Sequence, residues 1–154
     1  MNALNCRWRA ATDEREPAYD VGMASTRLVA IAPILPVRDL RAALAHYASL
    51  GFRVQTYDDG EDYAFASRNG VELHLTYQPT SDYADGAIAV VYLSAEDADA
   101  LYREWTKPGV GGQTVRPAPM PWGMHEGTHT DPDGNVIRFG SPIERESLDS
   151  EQTS

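Results

Sequence analysis

The strongest constraint on the fold is an internal repeat, because the same order of strand and helix signals occurs twice along the chain. The first round opens at residues 28–35 (LVAIAPIL), an apolar run that predicts a strand. Asp39 is the predicted N-cap of a helix that ends at Gly51. Its apolar residues recur at i, i+3, i+4 and i+7, and they are Leu40, Ala43, Leu44 and Tyr47.

Three strands are predicted after this helix, at residues 52–57, 62–68 and 71–77. The last two are joined by Asn69-Gly70. An Asn-Gly pair between alternating strands is a strong hairpin signal, because both turn positions need a positive φ. The first round is therefore β-α-β-β-β.

The second round begins at residues 87–93 (AIAVVYL), which predict another strand. Ser94 is the predicted cap of the second helix, which begins about 56 residues after the first and ends at residues 107–109. Strands are then predicted near residues 113–116, 124–130 and 135–140, with a turn at 131–134 between the last two. The apolar residues at helical spacing are Ala98, Leu101, Tyr102 and Trp105.

Two such modules, about residues 28–78 and 86–141, predict an α+β fold with eight strands and two helices. We expect a curled mixed sheet around a shared cavity with the helices outside, and not a parallel doubly wound sheet. The single domain should span residues 27–143, between a disordered extension at 1–26 and a polar tail at 144–154. Burial is expected for Leu40, Leu44 and Tyr47 in the first helix and for Leu101, Tyr102 and Trp105 in the second.

Composition excludes several classes of partner. The 154 residues carry 23 acidic and 13 basic side chains, a net charge of −10, which repels phosphate backbones and favours cationic ligands. No run approaches the roughly 20 apolar residues of a membrane span. The single cysteine, Cys6, allows no intrachain disulfide and no thiolate cluster. We therefore expect a cytoplasmic protein that binds neither nucleic acid nor membranes.

Residues 125–129 (HEGTH) fit the H-E-x-x-H pattern of zinc metalloproteases, but that chemistry requires a helix. A glycine and a β-branched threonine between two turn segments predict a strand instead. Residues four apart on a strand are roughly 13 Å from each other, too far for one shared ion.

Residues 131–135 (DPDGN) superficially resemble a calcium loop, yet Val136 and Pro142 occupy the positions where an EF-hand needs glycine and a carboxylate. We interpret this segment as a hairpin turn.

Residues 33–52 (PILPVRDLRAALAHYASLGF) and 121–139 (PWGMHEGTHTDPDGNVIRF) resemble the glyoxalase, bleomycin-resistance and extradiol-dioxygenase superfamily. The PWGM segment, a glutamate and DPDGN at this spacing are most similar to the bleomycin-resistance branch. His125 and Gly127 depart from that branch, which usually has a basic and an aromatic residue there, and this departure bears on the shape of the ligand pocket. The resemblance implies a homodimer with clefts between its subunits.

Metal-dependent enzymes of this superfamily hold one ion with four strand positions. By resemblance, these positions are Ala32, His74, Ala87 (or Ile88) and Arg138. Alanine has no donor atom, and the fixed charge of Arg138 repels a metal. One histidine is not a site, since transition metals typically take three protein ligands. We expect no metal, no cofactor and no catalytic residue.

The resemblance also implies a pocket that holds a flat, cationic ligand with aromatic rings and acidic side chains. The candidate rings are Phe52, Tyr57 and Trp122, and the candidate polar contacts within the pocket are His74 and Arg138. The acidic candidates are Asp58, Asp59, Glu61 and Asp62, which follow Tyr57.

The leading functional hypothesis is a metal-free protein that sequesters a cationic, aromatic antibiotic of the bleomycin type. One alternative is an enzyme of the same superfold with a relocated metal site, using His74 with His125 or Glu126. The other alternative is a non-catalytic sensor or partner-binding module on the same scaffold. Metal analysis separates the enzyme from the other two, and a ligand-induced rise in Tm separates sequestration from the sensor.

Overall fold

A computed structural model describes residues 26–79 and 89–143, and these residues form two four-stranded mixed sheets with one helix each. The strand orders are β1-β4-β3-β2 and β5-β8-β7-β6. In each sheet the first pair is parallel and the other pairs are antiparallel. The elements are β1 (Ile34–Val37), α1 (Leu40–Ser49), β2 (Arg53–Thr56), β3 (Tyr63–Arg68), β4 (Val71–Tyr77), β5 (Val90–Ser94), α2 (Ala98–Trp105), β6 (Gln113–Pro119), β7 (Met124–Thr130) and β8 (Val136–Pro142).

The tandem β-α-β-β-β order and the α+β class are therefore confirmed. Residues 26–30 contain no helix or strand. The predicted disordered extension (apart from residue 26), the polar tail and the start of the strand at residues 87–88 lie outside the described residues. The domain and module limits therefore stay predictions.

Both helices begin in the same way, at an aspartate in extended conformation. Asp39 accepts a hydrogen bond from the backbone N–H of Ala42, and Asp97 accepts one from Ala100, each at 2.9 Å. The predicted cap Asp39 is thus confirmed, whereas the predicted cap Ser94 is wrong. Ser94 is the last residue of β5 and pairs with Gly140 on β8, so its backbone belongs to the sheet. The helix begins three residues later, at the next capping side chain.

The first strand is shorter than predicted because a proline interrupts its pairing. β1 begins at Ile34, which lies opposite His74, and the carbonyl of Pro33 still accepts the His74 N–H at 2.9 Å. The next bond of a parallel ladder would need an N–H from Pro33, and proline has none. Residues 28–33 are therefore not a strand, contrary to the prediction.

The predicted turns have the expected backbone. Asn69 and Gly70 both have positive φ, 52° and 81°, between β3 and β4. Between β7 and β8, Asp131 accepts hydrogen bonds from the N–H groups of Asp133 and Asn135 at 2.9 and 2.8 Å. The Asp131 carboxylate therefore closes a turn, as the sequence predicted. β6 extends three residues beyond the prediction, through an irregular register that accommodates proline on an edge strand.

A single apolar core lies on the helix side of both sheets. Leu40, Tyr47 and Trp105 are buried as predicted, together with β-strand residues such as Leu73 and Phe139. Leu44, Leu101 and Tyr102 are only half-buried and pack against this core. These three helical residues were predicted to be buried, but each lies at the margin of its helix face.

The two modules are joined by buried hydrogen bonds between their helix sides. Tyr47 of α1 donates to the Asp131 carboxylate at 2.9 Å, and the Trp105 indole of α2 donates to the carbonyl of Leu50 at 3.0 Å. Asn135 donates to the carbonyl of Pro36 at 2.9 Å and accepts from the Ala89 N–H at 3.1 Å, which links the first strands of both modules. The DPDGN segment is therefore a structural link between the modules.

The sides of the two sheets that face away from the helices do not cover one another. We call them the open faces: Tyr57, Tyr63, Phe65, Glu72 and His74 lie on the first, and Tyr92, Glu126, Thr128 and Arg138 on the second. Side chains there alternate with the buried ones, as Glu72 and His74 do with Leu73 and Leu75. A recess of about 420 Å³ is lined by residues of both modules, including Phe52, Arg68 and Leu93. It lies beside α2 and not between the open faces.

Candidate functional site

Four rings lie side by side on the open face of the first sheet. The Phe65 ring is central, with its centroid 4.9 Å from that of His74, 5.7 Å from Tyr63 and 6.3 Å from Tyr57. All three contacts are edge-to-face, the arrangement that aromatic rings prefer. The predicted ligand contact Tyr57 is 63% exposed at the end of this row. An exposed row of rings can take up a further flat ring by stacking.

Both ring nitrogens of His74 are used in hydrogen bonds within the first sheet. Nδ1 lies 2.7 Å from the Tyr63 hydroxyl, and Nε2 lies 3.1 Å from the Glu72 carboxylate. A carboxylate can only accept, so Nε2 carries a proton, and in the neutral imidazole Nδ1 is then bare and accepts from Tyr63. The imidazole is therefore oriented by two partners and has no unshared lone pair that points to a metal.

The residues at the superfamily's metal positions do not fit a metal. Ala32 has no donor atom, and Arg138 is a cation bound to Glu126. Ala87 and Ile88 lie outside the described residues. Because Asp97 and not Ser94 caps α2, the position that matches Ala32 is Val90, which has no donor atom either. Within residues 26–79 and 89–143, no group of three His, Cys, Asp or Glu side chains could hold an ion.

The open face of the second sheet is organised around Glu126, which is only 6% exposed. Its Oε1 accepts from the indole N–H of Trp122 at 2.8 Å and from the Tyr92 hydroxyl at 3.1 Å, and its Oε2 accepts from Arg138 at 3.1 Å. Three donors satisfy the carboxylate, which compensates for its burial. Burial and the bond to Glu126 raise the pKa of Tyr92 above its usual value. Gly140 leaves room for this arrangement, because a Cβ there would collide with the Tyr92 hydroxyl.

The indole of Trp122 is hydrogen-bonded at one edge, while its faces are exposed to solvent. Its indole N–H is held by Glu126, yet 62% of the residue is exposed. A pinned, exposed indole loses little conformational entropy when a ligand stacks on it, which favours binding. Half of the Arg138 side chain is also exposed beside it, at 45%. The predicted contacts Trp122 and Arg138 are thus brought together, on a different sheet from Tyr57 and His74.

The acidic segment lies in the connection between β2 and β3, next to Tyr57. Its four carboxylates, on Asp58, Asp59, Glu61 and Asp62, are all exposed. Asp59, Glu61 and Asp62 border a recess of about 720 Å³ beside the start of α1. Exposed carboxylates attract cations over a long range, and salt weakens this attraction.

Phe52 does not belong to either open face. It is 5% exposed and packs edge-to-face against Tyr47, with ring centroids 6.0 Å apart. Its sequence position directly after the Gly51 helix end places the ring in the core. Phe52 also lines the recess beside α2, and its predicted ligand contact stays a prediction.

The H-E-x-x-H segment is strand β7, as predicted, and its two histidines have different partners. His125 Nδ1 lies 3.0 Å from the Asp99 carboxylate of α2, and His129 contacts His46 of α1 with 3.0 Å between their Nε2 atoms. Both face the helix side, while Glu126 faces the open side. Gly127 also faces the helix side, since a Cβ there would meet the Phe139 ring at 2.7 Å. The departures at His125 and Gly127 thus affect the core and not the open faces.

Sequence reasoning did not identify Tyr63, Phe65, Glu72 or Tyr92 as site residues, and it considered Glu126 only as a metal ligand. The signal for the first sheet was available, because Tyr63 and Phe65 alternate with the small residues Ala64 and Ala66. Small residues under a helix leave the larger rings on the other face. The Glu126 arrangement joins three elements that are distant in sequence, and no local pattern predicts it.

Among the described residues, no helix is long and apolar enough to cross a membrane.

Comparison with known proteins identifies relatives of the fold. The family model described as Glyoxalase/Bleomycin resistance protein/Dioxygenase superfamily matches residues 27–139. A bleomycin-binding protein solved in complex with bleomycin is 24% identical, with a TM-score of 0.61 over 74% of this chain and 98% of that chain. A bleomycin resistance determinant encoded on transposon Tn5 is also 24% identical, with a TM-score of 0.63 over 76% and 100%.

A lactoylglutathione lyase from Agrobacterium tumefaciens is similar as well, at 20% identity and a TM-score of 0.58 over 75% of this chain and 95% of that chain. No curated protein sequence matches the chain. At these identities the solved structures support the fold alone, and they include both binding proteins and an enzyme.

Proposed function

Because the chain belongs to the glyoxalase/bleomycin resistance protein/dioxygenase superfamily, we propose that it binds a cationic, ring-bearing small molecule of the bleomycin type and sequesters it unchanged. The observation that carries this proposal is the pair of open faces, which present exposed rings beside carboxylates. Tyr57 follows β2 and Trp122 precedes β7, and each supplies a stacking surface that is more than half exposed. Rings of this kind bind flat, cationic groups through apolar area and cation–π attraction.

Charge supports the same class of ligand. The net charge of −10 attracts cations from a distance, and the acidic segment after Tyr57 concentrates that field beside the ring row. Glu72 adds a half-exposed carboxylate on the open face itself. An anionic ligand would meet repulsion at the first sheet.

Sequestration without transformation is favoured by the side chains at the superfamily's metal positions. Three of them, Ala32, Val90 and Arg138, offer no lone pair to an ion, and both nitrogens of His74 are already paired. The enzyme alternative required His74 to act with His125 or Glu126. His125 faces the helix side of the second sheet, and Glu126 is bound by three donors on its open face. That alternative therefore has no assembled ligand set among the described residues.

We further propose that the active form is a homodimer. Several apolar side chains on the two open sheets are 45% to 65% exposed, among them Ile34, Tyr92, Val90 and Val115. Exposed apolar patches of this kind usually mark an interaction surface. A second copy that faces these sheets would enclose the rings and form the clefts that the resemblance implies.

We place the protein in the cytoplasm, as its single cysteine favours.

Calorimetric titration of bleomycin into the purified protein tests this function. Loss of one stacking ring costs about 1 to 2 kcal/mol, so Trp122→Ala should weaken binding about 5- to 30-fold. The matched control is Tyr77→Ala, which removes a 43% exposed ring beside the recess next to α1. Equal affinity for Trp122→Ala and the parent protein, or no binding below about 100 μM (about −5.5 kcal/mol), would contradict the proposal and favour the sensor hypothesis.

A further inference from the structure

Three polar groups form a continuous hydrogen-bonded chain on the open face of the first sheet. The Glu72 carboxylate contacts His74 Nε2 at 3.1 Å, and His74 Nδ1 contacts the Tyr63 hydroxyl at 2.7 Å. Strand pairing brings them together, because Glu72 and His74 lie on the same side of β4 and Tyr63 lies diagonally across on β3. The Phe65 ring packs against the imidazole of His74, with 4.9 Å between the ring centroids, and holds it in place.

The donor and acceptor of each hydrogen bond between Glu72, His74 and Tyr63 follow from the chemistry of these groups. The Glu72 carboxylate has no proton, so the N–H must come from His74 Nε2. A neutral imidazole with a proton on Nε2 has a bare Nδ1, which can only accept. While His74 is neutral, the Tyr63 hydroxyl therefore donates its only proton inward to His74. Its oxygen then has lone pairs alone to offer outward.

We propose that Tyr63 is a donor-selective subsite, which accepts a hydrogen bond from an N–H group on a cationic ligand such as a primary ammonium or a guanidinium. This inference rests on the proposed function, because it names the ligand group that the same open face recognises. The charge of Glu72 polarises the chain and strengthens the Tyr63 oxygen as an acceptor. The neighbouring rings of Phe65 and Tyr57 can contact the carbon skeleton that carries the cation.

The subsite discriminates by hydrogen bonding and not by charge alone. A quaternary ammonium group has the same charge and contacts the same rings, but it has no N–H to donate. Its binding would leave the lone pairs of the Tyr63 oxygen without a donor in a contact from which water is excluded, and that loss is costly. A ligand group that offers only acceptors would face the lone pairs of the tyrosine directly. The geometry therefore favours N–H cations over fully alkylated ones.

Two small probes isolate this effect: benzylamine, a cation with N–H donors, and benzyltrimethylammonium, a cation without them. Binding to ¹⁵N-labelled protein is followed by NMR at the open face. A charge-assisted hydrogen bond should favour benzylamine by about tenfold. The preference should disappear in Tyr63→Phe, which keeps the ring and removes the oxygen. The control variant Tyr77→Phe removes a hydroxyl beside the recess next to α1, and it should keep the preference.

The tautomer of His74 provides a test that needs no ligand and remains valid if a variant folds poorly. Its Nδ1 should show the ¹⁵N shift of an unprotonated nitrogen, and Nε2 that of a protonated one. Glu72→Ala should reduce this difference, because the acceptor that fixes the tautomer is gone. A protonated Nδ1 in the parent protein overturns the proposal, since Tyr63 would then donate outward.

The outcomes separate this inference from the broader function. If bleomycin binds but the two probes bind equally, or if neither probe binds at tens of millimolar, the donor-selective subsite is wrong and sequestration stands. If bleomycin does not bind but benzylamine is preferred and Tyr63→Phe removes the preference, the subsite stands and the ligand class of the proposed function is wrong.

Discussion

The buried pair of His46 and His129 should make the protein lose stability in mild acid. The two Nε2 atoms are 3.0 Å apart between α1 and β7, and His129 Nδ1 lies 2.7 Å from the Thr114 hydroxyl. Burial, with a smaller contribution from His46, lowers the pKa of His129 to about 4. Burial also lowers the pKa of His46, although Asp131 and Asp133 oppose that shift. The folded protein thus holds both imidazoles neutral where the unfolded chain would protonate them.

The pH window follows from these two states. The unfolded His129 takes up a proton near its ordinary pKa of 6.5, whereas the folded residue does so only near 4. Stability is therefore complete above about pH 7 and falls as the pH drops from 6.5 towards 4. Linkage gives a loss of about 2 kcal/mol for His129 alone between pH 7.5 and pH 5. The lowered pKa of His46 adds to this loss in the same direction.

Urea unfolding at a series of pH values between 7.5 and 5 measures this loss as a fall in the free energy of unfolding. His129→Gln keeps hydrogen-bonding capacity but cannot titrate, so it should be less stable at pH 7.5 and show a flatter pH dependence. The control is His125→Gln, which removes a partly exposed histidine on the same strand. If the parent protein and His129→Gln have the same pH slope, or if His129 titrates near 6.5 by NMR, the buried histidines are not the cause of the acid sensitivity.

Four further predictions follow from the structure. Asp97→Ala should cost about 1 kcal/mol of stability, as expected for a helix cap, and Ser94→Ala clearly less; equal losses in urea unfolding would contradict the corrected cap. Gly140→Ala should lower Tm, with a loss of about 1 to 3 kcal/mol, because its Cβ would collide with Tyr92 and Glu126; an unchanged Tm would show that the site is looser than described. Neutralising Asp58, Asp59, Glu61 and Asp62 together should slow ligand association and flatten its salt dependence; stopped-flow rates that keep the parent's salt dependence would remove these residues from the account. Protein saturated with zinc, nickel, iron or manganese and then desalted should hold much less than one ion per chain by mass spectrometry, and stoichiometric metal lost in His74→Ala would revive the enzyme hypothesis.

The elements that sequence predicted well are those whose signals are local. Asp39, followed by apolar residues at helical spacing, determines the start of α1. Asn69-Gly70 determines the hairpin, because few residue pairs tolerate two positive φ angles. The strand at residues 124–130 was predicted with its observed bounds, which removed the metalloprotease hypothesis. In each case the deciding physics acts within a few residues.

The sequence-based predictions were wrong where two neighbouring residues suited the same role equally well. There a contact with a residue distant in sequence determined the structure. Ser94 and Asp97 are both good caps, and only the pairing of Ser94 with Gly140 places the helix start at the second. Glu126 becomes a site residue only because Trp122, Tyr92 and Arg138 converge on it from three different elements.

We have proposed that the protein binds a bleomycin-type ligand and leaves it unchanged. One experiment incubates the protein with bleomycin, removes free drug by gel filtration, unfolds the complex and weighs the released ligand by mass spectrometry. We expect a stoichiometric amount of drug at its original mass from the parent protein and much less from Trp122→Ala. Drug recovered with an altered mass would identify an enzyme, and no drug carried through the column would contradict sequestration.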